Sequence, residues 1–320
     1  MTRHRFALIS VGTFVFGMLA LAQQPPTQPP PAGQQGGATV APAAGARGQA
    51  GARGGGRGGR GAGGPQRKRV LAWADTRNGQ AQHESVGHAL AVIERLGYET
   101  GLWDTFIRTD SHIIAMAPKK TDGSNASGGP NLSNVDAIFF MGHREVPLEA
   151  SQKTELLQFV REGKGFVAAH VGLTALESWP EFGELIGARF DGHPITGAGT
   201  IINENPAFPA TKHFPASFPF SDEFYQPKLY SREKIDVLLR LDVKPGDTRA
   251  HADGDYPLAW AKLYGTGRVF FGSFAHSAAT WDLREIKQMY LEAMKWALRL
   301  TDADPAPHPM RGEAPAAAVK

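Results

Sequence analysis

Residues 163–172 read Gly163-Lys-Gly-Phe-Val-Ala-Ala-His170-Val-Gly172. A glycine-bounded apolar run this short fits a strand buried on both faces. It opens directly onto His170 and a small-residue turn. Where a buried strand ends in such a turn, a nucleophile elbow commonly presents a Ser or Cys. Imidazole at that position suits proton transfer near neutral pH or metal ligation. The competing reading is a histidine that caps the next segment.

Working outward, the same grammar recurs. Residues 70–74 (VLAWA) and 135–141 (VDAIFFM) are apolar runs with strand character. A second strand is expected over 98–103, and later ones over 236–241, 258–263 and 268–274. Helical spacing appears at 84–96, ended by Gly97, at 149–161, ended by Gly163, and at 285–300. Strands alternating with helices predict an α/β fold with a doubly wound, mostly parallel sheet. Between 191 and 255 the chain is rich in Pro, His, Phe and Asp, which predicts a partly antiparallel insertion on the same domain.

In an open parallel sheet, ligands bind beyond the carboxyl ends of the strands. Four of the eleven histidines follow such ends: His83, His143, His170 and His276. A shared pocket is expected, with His170, His83 and His276 as catalytic candidates. The same three are candidate ligands should the protein use a divalent metal; no cofactor is required by the sequence. Asp191, His193, Glu223, Tyr225, His143 and Trp281 are the candidate substrate-binding groups. The pattern at His251, Asp253 and Asp255 suits either a hard cation or a solvated loop, and the Gly254 among them favours the loop.

Composition removes several function classes. The 320 residues include no Cys, which excludes disulfides, thiolate metal sites and a Cys nucleophile. The net charge of +3 is unevenly spread. Nine of the 34 Lys and Arg fall within residues 1–69, which hold no Asp or Glu, leaving 25 against 31 acidic residues beyond. The folded part is thus acidic, and no nucleic-acid partner is expected.

Residues 6–21 are apolar after Arg3 and Arg5, and Ala20-Leu21-Ala22 fits a signal-peptidase site. This predicts export to the periplasm or medium with cleavage after Ala22; the alternative is an uncleaved anchor. Residues 23–68 form a Gly/Pro/Arg-rich linker expected to be disordered, with weak affinity for an anionic envelope surface. A domain is expected over 69–301 and a disordered Pro/Ala tail over 302–320.

Further segments carry a resemblance. They include Gln82-His83-Glu84-Ser85, Lys164-Gly-Phe-Val-Ala-Ala-His170, Phe190-Asp-Gly-His-Pro194, Ser221-Asp-Glu-Phe-Tyr225, Tyr256-Pro-Leu-Ala-Trp260 and Thr280-Trp281. Taken in order over 69–300, these resemble the ThuA-like (trehalose-utilisation) family. The resemblance implies a flavodoxin-like fold of the class I glutamine amidotransferase type. It also implies a small-molecule sugar partner and a role in disaccharide or keto-sugar catabolism. Glutaminase chemistry is excluded because the chain has no Cys. Acid/base isomerisation, elimination or hydrolysis at the His-rich pocket is the expected activity; the alternative is a non-catalytic sugar-binding or scaffold module.

Overall fold

The computed structural model describes residues 66–79, 82–120 and 122–311. The expected signal and nearly all of the expected linker lie outside these residues. One nine-stranded mixed sheet organises the body. Its parallel half contains β1 (Lys68–Trp73), β2 (Trp103–Arg108), β3 (Ala137–Phe140), β4 (Gly165–Ala169) and β9 (Gly267–Gly272). The antiparallel half is β5 (Arg189–Asn203), β6 (Ser217–Lys228), β7 (Asp236–Leu241) and β8 (Pro257–Tyr264). The strand order is β2-β1-β3-β4-β9-β8-β7-β5-β6, so the expected insertion extends the same sheet.

Alternation along each parallel strand sends side chains to two cores. Val70 and Ala72 face one core, which α1 (Ser85–Thr100) and α5 (Arg284–Ala297) cover. Leu71 and Trp73 face the other, beneath α2 (Ala150–Arg161) and α3 (Pro180–Ile186). In α5 the apolar stripe runs through Ile286, Met289, Tyr290, Ala293 and Trp296, all buried. In α2 the Glu149 side chain accepts from the backbone of Gln152, whose side chain accepts from the Glu149 amide, closing a capping box.

Helix α1 overruns its expected end. Gly97 lies inside it, and the helix stops at Gly101 with φ of 69°. Gly97 serves packing: a methyl group there would press on the indole and carbonyl of Trp103 in β2. The tight approach lets Trp103 Nε1 donate to the Ile93 carbonyl at 3.3 Å. Strand β2 consequently begins at Trp103, where the sequence pattern placed its end.

The chain after α5 also departs from expectation. Residues 302–311 lie against the body. Trp296 Nε1 donates to Ala303 O at 3.0 Å, His308 Nε2 is 3.2 Å from Asp236 Oδ1, and Arg311 Nη1 donates to Asn203 O at 2.9 Å. Pro305, Pro307 and Pro309 exclude regular structure here, yet they do not prevent side-chain docking. Residues 312–320 lie outside the described residues. Among the described residues no helix is long and apolar enough to cross a membrane.

Candidate functional site

Strands β1, β3, β4 and β9 run parallel, so their carboxyl ends open on one rim. The segments leaving that rim bring four histidines together. The His83 ring centroid lies 5.2 Å from His143, 5.3 Å from His170 and 4.9 Å from His276. His170 and His276 are 5.2 Å apart by the same measure.

The turns are strained where they carry these groups. His170 has φ of 38°, Arg144 after His143 has 56°, and Ala275 before His276 has 80°. Non-glycine residues rarely adopt such values, and they concentrate where a side chain must be aimed. His170 opens a single 3-10 turn, His170–Thr174, directly at the end of β4.

Glu223 enters from β6 and stands among the imidazoles. Its Oε2 is 2.9 Å from His276 Nδ1, 3.4 Å from His170 Nε2 and 3.9 Å from His83 Nε2. Its Oε1 is 3.2 Å from His193 Nδ1. His193 sits on β5 within the second of two register irregularities, which fall between Phe190 and Gly192 and between Gly192 and Ile195. Such bulges turn side chains out of simple alternation.

Two buried residues hold the arrangement. Ser273 O accepts from His170 Nδ1 at 2.6 Å, and Ser273 Oγ accepts from the Tyr225 amide at 3.0 Å. Asp222 accepts from the amides of Ala275 at 2.7 Å and His276 at 3.2 Å, pinning the turn after β9. A carbonyl only accepts, so Nδ1 of His170 carries the proton. In the neutral ring, Nε2 then turns a lone pair toward Glu223 and His276.

The electrostatics follow from burial and crowding. Burial first, then the charges of His170, His276 and His143, lower His83 to a pKa of about 4, with Glu223 opposing. Burial alone would raise the Glu223 carboxyl, but the apposed His170 and the charges of His276 and His193 bring it down to about 2. Burial, reinforced by Glu223, pushes the Tyr225 phenol far above its ordinary range. At neutral pH the floor therefore combines a neutral His83, an ionised Glu223 and a protonated Tyr225. The Tyr225 hydroxyl and His83 Nε2 share a hydrogen bond of 3.2 Å.

This floor opens into a cavity of about 700 Å³ lined by His83, His143, Arg144, His193, Glu223 and Tyr225, among others. The volume falls within the range of small-molecule sites. Not all expected groups reach it: of the expected catalytic residues only His83 lines it, while His170, fully buried, and His276 meet it through Glu223. Trp281, expected to bind substrate, is fully buried and stacks on Tyr290 at 4.5 Å in the core. It ends the short helix α4 (Ala278–Trp281), in which Thr280 and Trp281 are both buried. Asp191, also expected at substrate, does not line the cavity; it pairs with His251 at 2.8 Å and Lys228 at 3.2 Å.

Nor do His251, Asp253 and Asp255 converge on one ligand. Asp255 binds Arg232 Nε at 2.7 Å, and Asp253 accepts from the Asp255 amide at 3.1 Å. Glu223 lies deeper than a hydroxyl-gripping role required. Asp222 and Ser273 were missed as positioning residues, because nothing local marks a carboxylate that binds a turn some fifty residues away.

Comparison with known proteins identifies the lineage. No curated protein matches the chain. Among solved structures, a ThuA-like protein from Bacteroides uniformis superposes with a TM-score of 0.56 at 19% identity, covering 76% of this chain and 95% of that one. Another, from Parabacteroides merdae, gives 0.55 at 16% identity, covering 73% and 90%. Identities this low carry the fold alone. The family described as ThuA, trehalose utilisation, matches residues 69–297, and the chain belongs to that family.

Proposed function

We propose that this protein is an exported enzyme of carbohydrate catabolism that acts on a disaccharide or keto-sugar at the His-lined cavity. The observation that carries this is the convergence of His83, His143, His193, Glu223 and Tyr225 on one open cavity, with His170 and His276 packed against Glu223 behind its lining. The family's description, trehalose utilisation, supports the substrate class. The order β2-β1-β3-β4-β9 with helices on both faces supports a flavodoxin-like, doubly wound topology.

The floor suits proton transfer beside a sugar carbonyl or at a glycosidic carbon. A neutral imidazole at His83 accepts a proton, and the Tyr225 phenol donates or bridges one. His143 and His193 line the cavity and offer ring nitrogens to hydroxyls. Two carboxylates flanking a glycosidic bond would suit ordinary glycoside hydrolysis. Here Glu223 alone among the lining carboxylates meets the imidazoles, while Glu145 accepts from the Ser178 amide and hydroxyl at 2.8 Å each. Isomerisation or elimination of a keto-sugar therefore fits better.

The test is a panel of disaccharides and their keto derivatives, followed by thermal shift and by NMR of products. At least one sugar should raise the melting temperature and be converted. Binding with no conversion would assign a non-catalytic module; no binding at all would remove the sugar reading. N-terminal sequencing of protein from the native host should begin at Gln23; a start at Met1 would remove signal cleavage.

A further inference from the structure

We propose that His83, His170, His276 and Glu223 form a binding centre for one first-row transition-metal dication of the zinc class. One ligand atom from each residue lies within 4.8 Å of the other three. The separations among Glu223 Oε2, His170 Nε2 and His276 Nδ1 are 2.9, 3.2 and 3.4 Å, and His83 Nε2 stands 3.9 Å from the carboxylate. With metal–ligand bonds of about 2.0–2.1 Å, tetrahedral ligand atoms stand about 3.3–3.4 Å apart. The side chains thus need only small movements to enclose an ion.

The donor orientation agrees. Ser273 holds the proton of His170 on Nδ1, so the lone pair of Nε2 faces the cluster. This is the arrangement by which a carbonyl fixes a ligating imidazole. Glu223 Oε2 is sealed from solvent and faces ring nitrogens of His276, His170 and His83 at 2.9, 3.4 and 3.9 Å. A buried carboxylate oxygen among imidazole nitrogens calls for a proton or a cation between them. A bound dication supplies that charge with all four donors. Asp222 fixes the backbone of His276, and the cavity gives entry from solvent.

Three imidazoles with one carboxylate favour zinc, iron, nickel or copper over calcium and magnesium, which prefer oxygen cages. In the cavity such an ion would polarise a sugar oxygen, and proton movements would pass to Tyr225, His143 and His193. That catalytic part rests on the proposed function; ion binding itself does not.

Metal content of the full chain, purified without chelator, provides the test, with no sugar present. About one equivalent of a zinc-class metal is expected per chain, lost on chelation with a lower melting temperature and restored by zinc but not by magnesium or calcium. Glu223→Gln and His83→Ala should each lower zinc affinity at least about tenfold with unchanged far-UV circular dichroism. His213→Ala, remote from the cluster, should bind as the parent does. Absence of stoichiometric metal together with no thermal response to zinc, iron(II), nickel or copper would overturn the centre and leave a proton as the neutralising charge. Full zinc binding in both folded cluster variants would overturn it equally. A metal-loaded protein that neither binds nor converts any sugar would sink only the proposed function.

Discussion

His170 Nδ1 lies 2.6 Å from the carbonyl oxygen of Ser273, across the boundary between β4 and the turn after β9. One hydrogen bond thereby sets the tautomer of the histidine that the strained turn presents. Asparagine tolerates positive φ better than most residues. His170→Asn should therefore keep the far-UV spectrum while sugar turnover falls by about 10²–10⁴-fold, the usual worth of a positioned acid/base group. Unchanged turnover would show that His170 only caps its turn.

Two glycines of α1 should respond oppositely to alanine. Gly87 has open space around it, and alanine there should raise stability by about 0.5–1 kcal/mol through helix propensity. At Gly97 the same gain is outweighed by collision with Trp103, and a net loss of about 1–3 kcal/mol is expected. Urea denaturation of the two variants measures the difference in sign.

Glu204 is an anchor beneath the C-terminal segment. Its buried carboxylate meets Arg232 at 2.9 Å and Arg240 at 2.5 Å, and Arg232 also meets Asp255 at 2.7 Å. Removing one partner leaves uncompensated buried charge. Glu204→Ala should cost about 3–5 kcal/mol in chemical denaturation, with Glu204→Gln costing less because the arginines retain an acceptor.

His308 should make stability depend on pH. Its hydrogen bond to Asp236, opposed by burial and aided by the Pro309 carbonyl and by Glu204, raises its pKa to about 9. The ordinary value is about 6.5. Because the folded value is the higher one, its contribution is fully present below pH about 6.5 and is lost as pH rises through about 9. The urea midpoints of the parent and His308→Gln should differ most near pH 6 and converge by about pH 10. A constant gap across that range would show that His308 does not titrate with folding.

The strand–helix alternation and the four histidines at strand ends were legible because both depend on local pattern. Buried parallel strands are short apolar runs, and a residue following one must emerge at the rim. The span of β7 agrees with the sequence pattern for the same reason. Gly97 misled because a glycine that admits an indole and one that ends a helix look alike in one dimension. Trp281 misled because an indole near a site serves the core equally well. The docking of residues 302–311 was hidden by a composition that usually marks a free tail.

By itself, the sequence determined the element types, the absence of thiol chemistry and which imidazoles could share an edge. Those follow from periodicity, side-chain inventory and the direction of parallel strands. Only the tertiary structure decided that Glu223 stands among the imidazoles, that Asp222 and Ser273 hold them, and that Asp191 and Trp281 face elsewhere. Register between β5 and β6, bulges and cross-sheet hydrogen bonds set those distances, and they join residues whose separation along the chain carries no trace of their contact.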